Sequence, residues 1–106
     1  WAPRADVREN EKEFQLFVEL PGLEKKDIEL SFKENVLTLK GEKKNAYESN
    51  EDNRYINERT FGKFDRNFRF SINVDDSAIK ASHKNGVLSI TVPKVPAAQP
   101  AKVEIK

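Results

Sequence analysis

Few residues of this chain have types and spacings that could carry out catalysis. His83 is the only histidine among 106 residues. The sequence shows no pattern of a serine together with a carboxylate near it that could form a catalytic triad. The adjacent acids Glu51-Asp52 and Asp75-Asp76 lack the alternating ligands and the glycine-permitted turn of a calcium loop. Because cysteine is absent, thiol nucleophiles, disulfides and zinc–thiolate sites are excluded. The sequence therefore predicts no enzyme, no cofactor and no metal, and we expect His83 to have a packing role.

Arg66 is the charged residue with the most unusual position. It has the same parity as three phenylalanines of the segment 64–70, namely Phe64, Phe68 and Phe70. In a strand this parity points the guanidinium toward the apolar face, where it needs a carboxylate or a backbone partner. Two interpretations stay open at this point: the side chain reaches water at a sheet edge, or it forms an ion pair across a subunit interface.

The end of the chain carries a second candidate for binding. Val103 and Ile105 flank Glu104, so in an extended chain both aliphatic side chains point the same way. They follow a proline-containing stretch that begins at Val95 and that remains extended. Such a pair can lie along an exposed sheet edge of a partner. The alternative is an ordinary frayed terminus.

Composition and charge limit the class of protein further. Lysine and arginine total 19 against 18 acidic residues, which argues against a purely electrostatic nucleic-acid binder. No apolar run approaches the roughly 18 residues of a membrane span. No signal peptide is visible, and we predict a cytoplasmic location. The length fits one domain, and because the chain begins with Trp1 we expect it to be a fragment.

Hydrophobic residues recur with period two along most of the chain, which is typical of half-buried strands. The alternating stretches are 14–20, 28–32, 37–39, 64–72 and 88–92. The first of them could also form a helix, but its short length and the following Pro21 favour a strand. Short strands without a long helical pattern predict an all-β fold, an antiparallel β-sandwich.

Turns and one long connection separate these stretches. Lys33-Glu34-Asn35 and Asn85-Gly86 indicate hairpin turns. Each of the four glycines is interpreted as a turn residue: Gly22, Gly41, Gly62 and Gly86. Residues 41–62 are polar, carry charges of both signs and are long for a sandwich connection, which favours a functional loop.

Five segments, in order and at this spacing, carry a resemblance to a known family. They are 17–23, 36–42, 58–64 with 68–70, 85–94 and 103–105. The most recognisable reads Asn-Gly-Val-Leu-Ser-Ile-Thr-Val-Pro-Lys, from residue 85 to residue 94. The chain resembles the α-crystallin domain of a small heat shock protein, here residues 1–94, followed by the C-terminal extension of that family, here residues 95–106.

The resemblance implies an immunoglobulin-like β-sandwich and an ATP-independent holdase that binds unfolding client proteins and prevents their aggregation. The long loop is similar to that of plant, fungal and bacterial members, in which a short strand swaps into a neighbouring subunit. The resemblance therefore implies a strand-swapped homodimer that assembles into larger homo-oligomers, often of about 12 or 24 subunits. It implies no cofactor, no nucleic acid and no membrane as a partner.

The resemblance also assigns residues to these contacts. The swapped strand would be Asn53, Arg54, Tyr55, Ile56 and Asn57. Its partner edge would lie at 4–9, with Arg4 and Val7, and Arg66 falls at the interface arginine of the family. The tail motif would be Val103 and Ile105, which dock in another subunit's groove formed by Leu30, Phe32, Ile79 and Ala81.

One departure and several alternatives accompany the resemblance. His83 stands where many members carry an aliphatic residue, which would soften the groove or make it sensitive to pH. The first alternative is a co-chaperone of the related CS-type sandwich, which binds a nucleotide-driven chaperone; such domains lack the long loop and the tail pair. The second is an adhesion or carbohydrate-binding module, which would favour a signal peptide, exposed aromatic platforms or disulfides.

Overall fold

The computed structural model describes residues 3–43 and 62–96 together with Val103 and Ile105. The strands in these ranges are β1 (Ala5–Glu9), β2 (Glu13–Glu19), β3 (Ile28–Lys33), β4 (Val36–Lys43), β5 (Gly62–Arg69), β6 (Lys80–Lys84) and β7 (Val87–Pro93). Single 3-10 turns, Lys25–Asp27 and Asp76–Ala78, precede β3 and β6. No helix in the described part of the chain is long and apolar enough to cross a membrane.

The strands form two antiparallel sheets, which confirms the predicted all-β sandwich. One sheet has the order β1-β2-β7-β6 and the other the order β3-β4-β5. Strands β2 and β7 occupy the middle of the first sheet, and their alternate side chains are buried. The core between the sheets includes Leu16 and Ile90 from one side and Leu37 and Leu39 from the other. Burial of each such side chain contributes about 1.5–3 kcal/mol.

Two tight hairpins fix the register of the edge strands. The β3–β4 turn has φ of 53° at Glu34 and 63° at Asn35, and the β6–β7 turn has 53° at Asn85 and 78° at Gly86. Positive φ at both central residues matches the twist of the flanking strands. The Asn35 side-chain amide also donates to the carbonyls of Phe70 and Ile72, at 3.2 and 3.1 Å. Both predicted hairpins are confirmed.

The prediction that Gly41 is a turn residue is wrong, because β4 continues through it to Lys43. Gly41 lies opposite Phe64 in the β4–β5 ladder, and a Cβ on Gly41 would collide with the Phe64 ring. The missing side chain therefore makes room for an aromatic ring. Since β5 begins at Gly62, both ends of the predicted loop 41–62 are strand.

The edges of the two sheets meet at two places. At one end β3 lies beside β6, because Leu30 and Ala81 line the same groove. At the other end β5 approaches the segment before β1, where the Arg66 guanidinium donates to the carbonyl oxygen of Pro3 at 2.9 Å. The described residues that the sequence assigned to docking and dimerisation lie at these two ends or in the tail.

Candidate functional site

A groove of about 420 Å³ runs between β3 and β6. Its lining residues are Lys25, Ile28, Leu30, Ala81, Ser82, His83 and Leu88. Because β3 is an edge strand, its core-facing side chains are only half-buried. Apolar surface therefore remains accessible along this edge of the sandwich.

The structure places two of the four predicted groove residues in this lining. Leu30 and Ala81 face each other across the groove. Phe32 and Ile79 instead pack as half-buried residues against the core. The Phe32 ring centroid lies 6.5 Å from that of Phe70. This contact holds the end of β3 against the interior of the sandwich.

His83 adds a polar group to the groove wall. Its Nε2 lies 2.8 Å from the carbonyl oxygen of Leu23. Since a carbonyl only accepts, Nε2 carries the proton of this hydrogen bond. Nδ1 is buried without a hydrogen-bond partner among the described residues. His83 thus packs in the wall, and its hydrogen bond fixes the ring orientation.

The charge of the groove is positive. Lys25 is the charged side chain among its described lining residues, and no carboxylate occurs among them. The neighbouring Lys26 is exposed and pairs with Glu24 at 3.3 Å. An occupant with apolar side chains and an acidic residue would therefore match the groove in both shape and charge.

Both aliphatic residues of the tail motif are exposed. Val103 is 80% and Ile105 is 94% exposed. Full burial of side chains of this kind is favourable by about 1.5–3 kcal/mol each before ordering costs. The tail pair is therefore available for an apolar contact with another molecule.

The second candidate surface is the outer edge of β1. Among the described residues, β1 has a ladder partner on one side only, which is β2. Val7 lies opposite the fully buried Leu16, on the core-facing side of the sheet, yet it is 53% exposed. Arg4, just before the strand, is exposed as well. The predicted swapped strand, residues 53–57, lies outside the described residues.

Arg66 bridges the two sheets near this edge. It is half-buried on the core-facing side of β5, opposite Leu39. Besides its hydrogen bond to Pro3, its guanidinium lies 5.0 Å from the centroid of the Phe68 ring. Within this chain the half-buried arginine thus has a backbone partner, and the ion pair across an interface stays a prediction.

Lys94 is the residue that the sequence analysis did not single out. Its side chain is buried, with an ion pair of 2.8 Å to Glu9 and a hydrogen bond of 2.8 Å to the carbonyl oxygen of Asn10. The ammonium also lies 5.2 Å from the centroid of the Phe14 ring. Lys94 and Asn10 are 84 positions apart in sequence, so no local pattern could have indicated this contact.

The described residues hold no cluster of three or more His, Cys, Asp or Glu side chains that could bind a metal ion. Their main accessible features are apolar surface at two sheet edges, with Lys25 at the groove and Arg4 beside β1 as charged residues. Such surfaces bind other polypeptides.

Comparison with known proteins gives a consistent result. A family model described as the Hsp20/alpha crystallin family matches residues 6–106. Small heat shock protein C2 of Rickettsia felis is 38% identical over 104 residues, which are 98% of this chain and 68% of that protein. The 17.6 kDa class I heat shock protein 3 of Arabidopsis thaliana is 41% identical over 98 residues, 92% of this chain and 62% of that protein.

Solved structures agree with these relatives. Heat shock protein 16.0 from Schizosaccharomyces pombe has a TM-score of 0.83 and 37% identity, covering 100% of this chain and 99% of that one. A small heat-shock protein from Xylella fastidiosa, described as having a distinct high order structure, has a TM-score of 0.78 and 36% identity, covering 100% and 97%. The chain spans roughly two thirds of the length of its first curated relatives, between 62% and 68%.

Proposed function

Because the chain belongs to the Hsp20/alpha crystallin family, we propose that it is an ATP-independent holdase that binds unfolding proteins and prevents their aggregation. The observation that carries this proposal is the accessible apolar groove between β3 and β6, in a protein with an equally accessible aliphatic pair in its tail. At rest a tail would cover the groove, and under stress an unfolding client would cover it instead. This exchange needs no nucleotide, because it is a shift between the tail-bound and the client-bound populations of the protein.

The tail of one copy would occupy the groove of another. In an extended segment, alternate side chains point the same way and lie about 6.6 Å apart, the spacing shared by Val103 and Ile105 and by the groove residues Ile28 and Leu30. Glu104 stands between the two tail residues, and Lys25 lines the groove. The charges are therefore complementary, which favours this occupant over an apolar segment without an acid.

The outer edge of β1 would pair with residues 53–57 of a second copy to form a strand-swapped dimer. An unpaired edge presents backbone donors and acceptors to an incoming strand. Val7 supplies exposed apolar surface on the core-facing side of that edge, and Arg66 lies close to it through Pro3. An added strand would cover Val7 and complete the ladder that ends at β1.

Dimers joined through tails would form the larger assembly, of about 12 or 24 subunits. Each tail contact is weak, but many contacts within one assembly add through effective concentration. Heat or an excess of clients would release tails and expose grooves. We place this activity in the cytoplasm.

Aggregation of a heat-labile client protein, followed by light scattering without nucleotide, tests the proposal. The folded chain is expected to suppress scattering at near-stoichiometric ratios. Matched variants sharpen the result: Ala81→Glu changes the groove, whereas Ser31→Glu introduces the same charge on the outer face of β3. Undiminished scattering in the presence of the folded protein would contradict a holdase and favour the CS-type co-chaperone.

A further inference from the structure

Strand β1 has little buried surface to hold it in place. Of its five residues only Ala5 is half-buried, and the other four are exposed. Among the described residues, its attachments are the ladder to β2, the packing of Ala5 against the core and two hydrogen bonds just before the strand, from the Glu19 amide to Arg4 at 3.0 Å and from Arg66 to Pro3. An edge strand with so few apolar contacts opens more readily than the core strands.

Lys94 supplies an additional anchor at the far end of this strand. Glu9 is the last residue of β1, and Asn10 begins the turn to β2. The Lys94 ammonium contacts both, as an ion pair with the Glu9 carboxylate and as a donor to the Asn10 carbonyl oxygen. Because Lys94 is only 6% exposed, the donor end of this hydrogen bond is shielded from water, which makes the bond stronger than one between two exposed groups.

The base of the Lys94 side chain is itself fixed. Its backbone N–H donates to the carbonyl oxygen of Lys12 at 2.8 Å, and the residue forms a β-bridge with Val74. The Asn10 side chain in turn accepts from the amides of Lys12 and Glu13, at 2.8 and 2.9 Å. The ammonium is therefore held between a rigid strand end and an ordered turn.

We propose that Lys94 is a positioning residue for self-association. It holds the end of β1 against the sheet and so fixes the edge that pairs with a second copy. Glu9 is about half exposed, so simple charge attraction is partly screened and the positioning comes from the geometry of the buried ammonium. This inference rests on the dimer proposed above.

The test replaces the buried ammonium without emptying its site. Lys94→Met keeps an unbranched chain of similar length, and the partners it leaves behind, Glu9 and Asn10, are exposed enough for water to replace the ammonium. Amide hydrogen exchange in 5–9 is measured against the central strand segment 88–92, and the dimer dissociation constant is measured by sedimentation. Lys80→Met, on exposed β6, is the control for loss of one positive charge.

We expect exchange in 5–9 to rise by about tenfold or more, with 88–92 unchanged, since hydrogen bonds to charged groups contribute enough for such a factor. The dimer dissociation constant should rise by a similar factor, and Lys80→Met should change neither quantity. Glu9→Gln, at a half-exposed position, should also raise the exchange in 5–9 and the dimer dissociation constant. This variant provides a second test if Lys94→Met fails to fold.

Unchanged exchange in 5–9 would overturn the anchoring role of Lys94. Faster exchange with an unchanged dimer constant would overturn its role in self-association. A wild-type chain that remains monomeric at all concentrations would instead refute the proposed dimer, and the exchange data would still decide whether Lys94 holds β1.

Discussion

Ile105→Ser tests whether the tail joins one copy to another. The side chain is 94% exposed within its own chain, so nearly all of its apolar surface is available for burial in a partner. Full burial of an isoleucine is favourable by about 1.5–3 kcal/mol. Immobilising the side chain opposes this by about 0.5–1.5 kcal/mol. The net loss of about 1–1.5 kcal/mol weakens each tail contact by about 5–13-fold.

The assay is the mass distribution of the chain by sedimentation velocity over a series of concentrations. Ile105→Ser should shift the distribution from large assemblies toward dimers, because each assembly depends on many tail contacts. Lys106→Ser is the matched control, since it changes the neighbouring residue of opposite parity. Val103→Ser should act in the same direction as Ile105→Ser.

A second variant separates the groove from the tail. Ala81 is exposed and lines the groove, so Ala81→Glu leaves the core intact while placing a carboxylate where the aliphatic side chains of the tail would lie. It should reproduce the effect of Ile105→Ser. An unchanged distribution for Ile105→Ser would refute tail-mediated assembly. A change for Ile105→Ser with none for Ala81→Glu would mean that the tail binds elsewhere.

Three further predictions concern the loop, β4 and Arg66. Replacing residues 45–57 with a short glycine-containing turn should abolish the swapped dimer in sedimentation experiments, and a dimer that survives would count against the loop. Gly41→Ala should lower the free energy of unfolding by about 1–3 kcal/mol in urea titrations, because the new Cβ meets the Phe64 ring; an unchanged midpoint would contradict this close packing. Arg66→Met should cost about 1.5–3 kcal/mol in the same titrations through loss of the hydrogen bond to Pro3. A cost within error of zero would show that this bond is not stabilising.

The strands and hairpins could be predicted because their signals are local. Alternation along 14–20 and 88–92 reports which side chains face inward without reference to the rest of the chain. Asn85-Gly86 likewise indicates its own turn, since positive φ at two successive residues favours residues of this type. The family resemblance assigned Leu30, Phe32, Ile79 and Ala81 to one groove. The structure places Leu30 and Ala81 in the groove between β3 and β6 and packs the other two against the core.

The remaining features depend on contacts that no short segment encodes. Gly41 was misinterpreted because the reason for a glycine there is the Phe64 ring on a neighbouring strand. Lys94 was overlooked because its partners Glu9 and Asn10 lie at the other end of the chain. A lysine after an apolar strand is normally exposed, and only the folded arrangement shows that this one is buried.

The unequal sheets explain why one small sandwich can offer two separate contacts. In the described parts of the chain, a four-stranded sheet packs against a three-stranded one and Val7 of β1 lacks full cover at one end. At the other end, β3 and β6 leave a groove between their edges, lined by Leu30. Because the two surfaces lie at different ends, the proposed pairing through β1 would leave both grooves of a dimer accessible to tails. Loss of the tail contact should therefore yield dimers, whereas loss of β1 pairing should yield monomers.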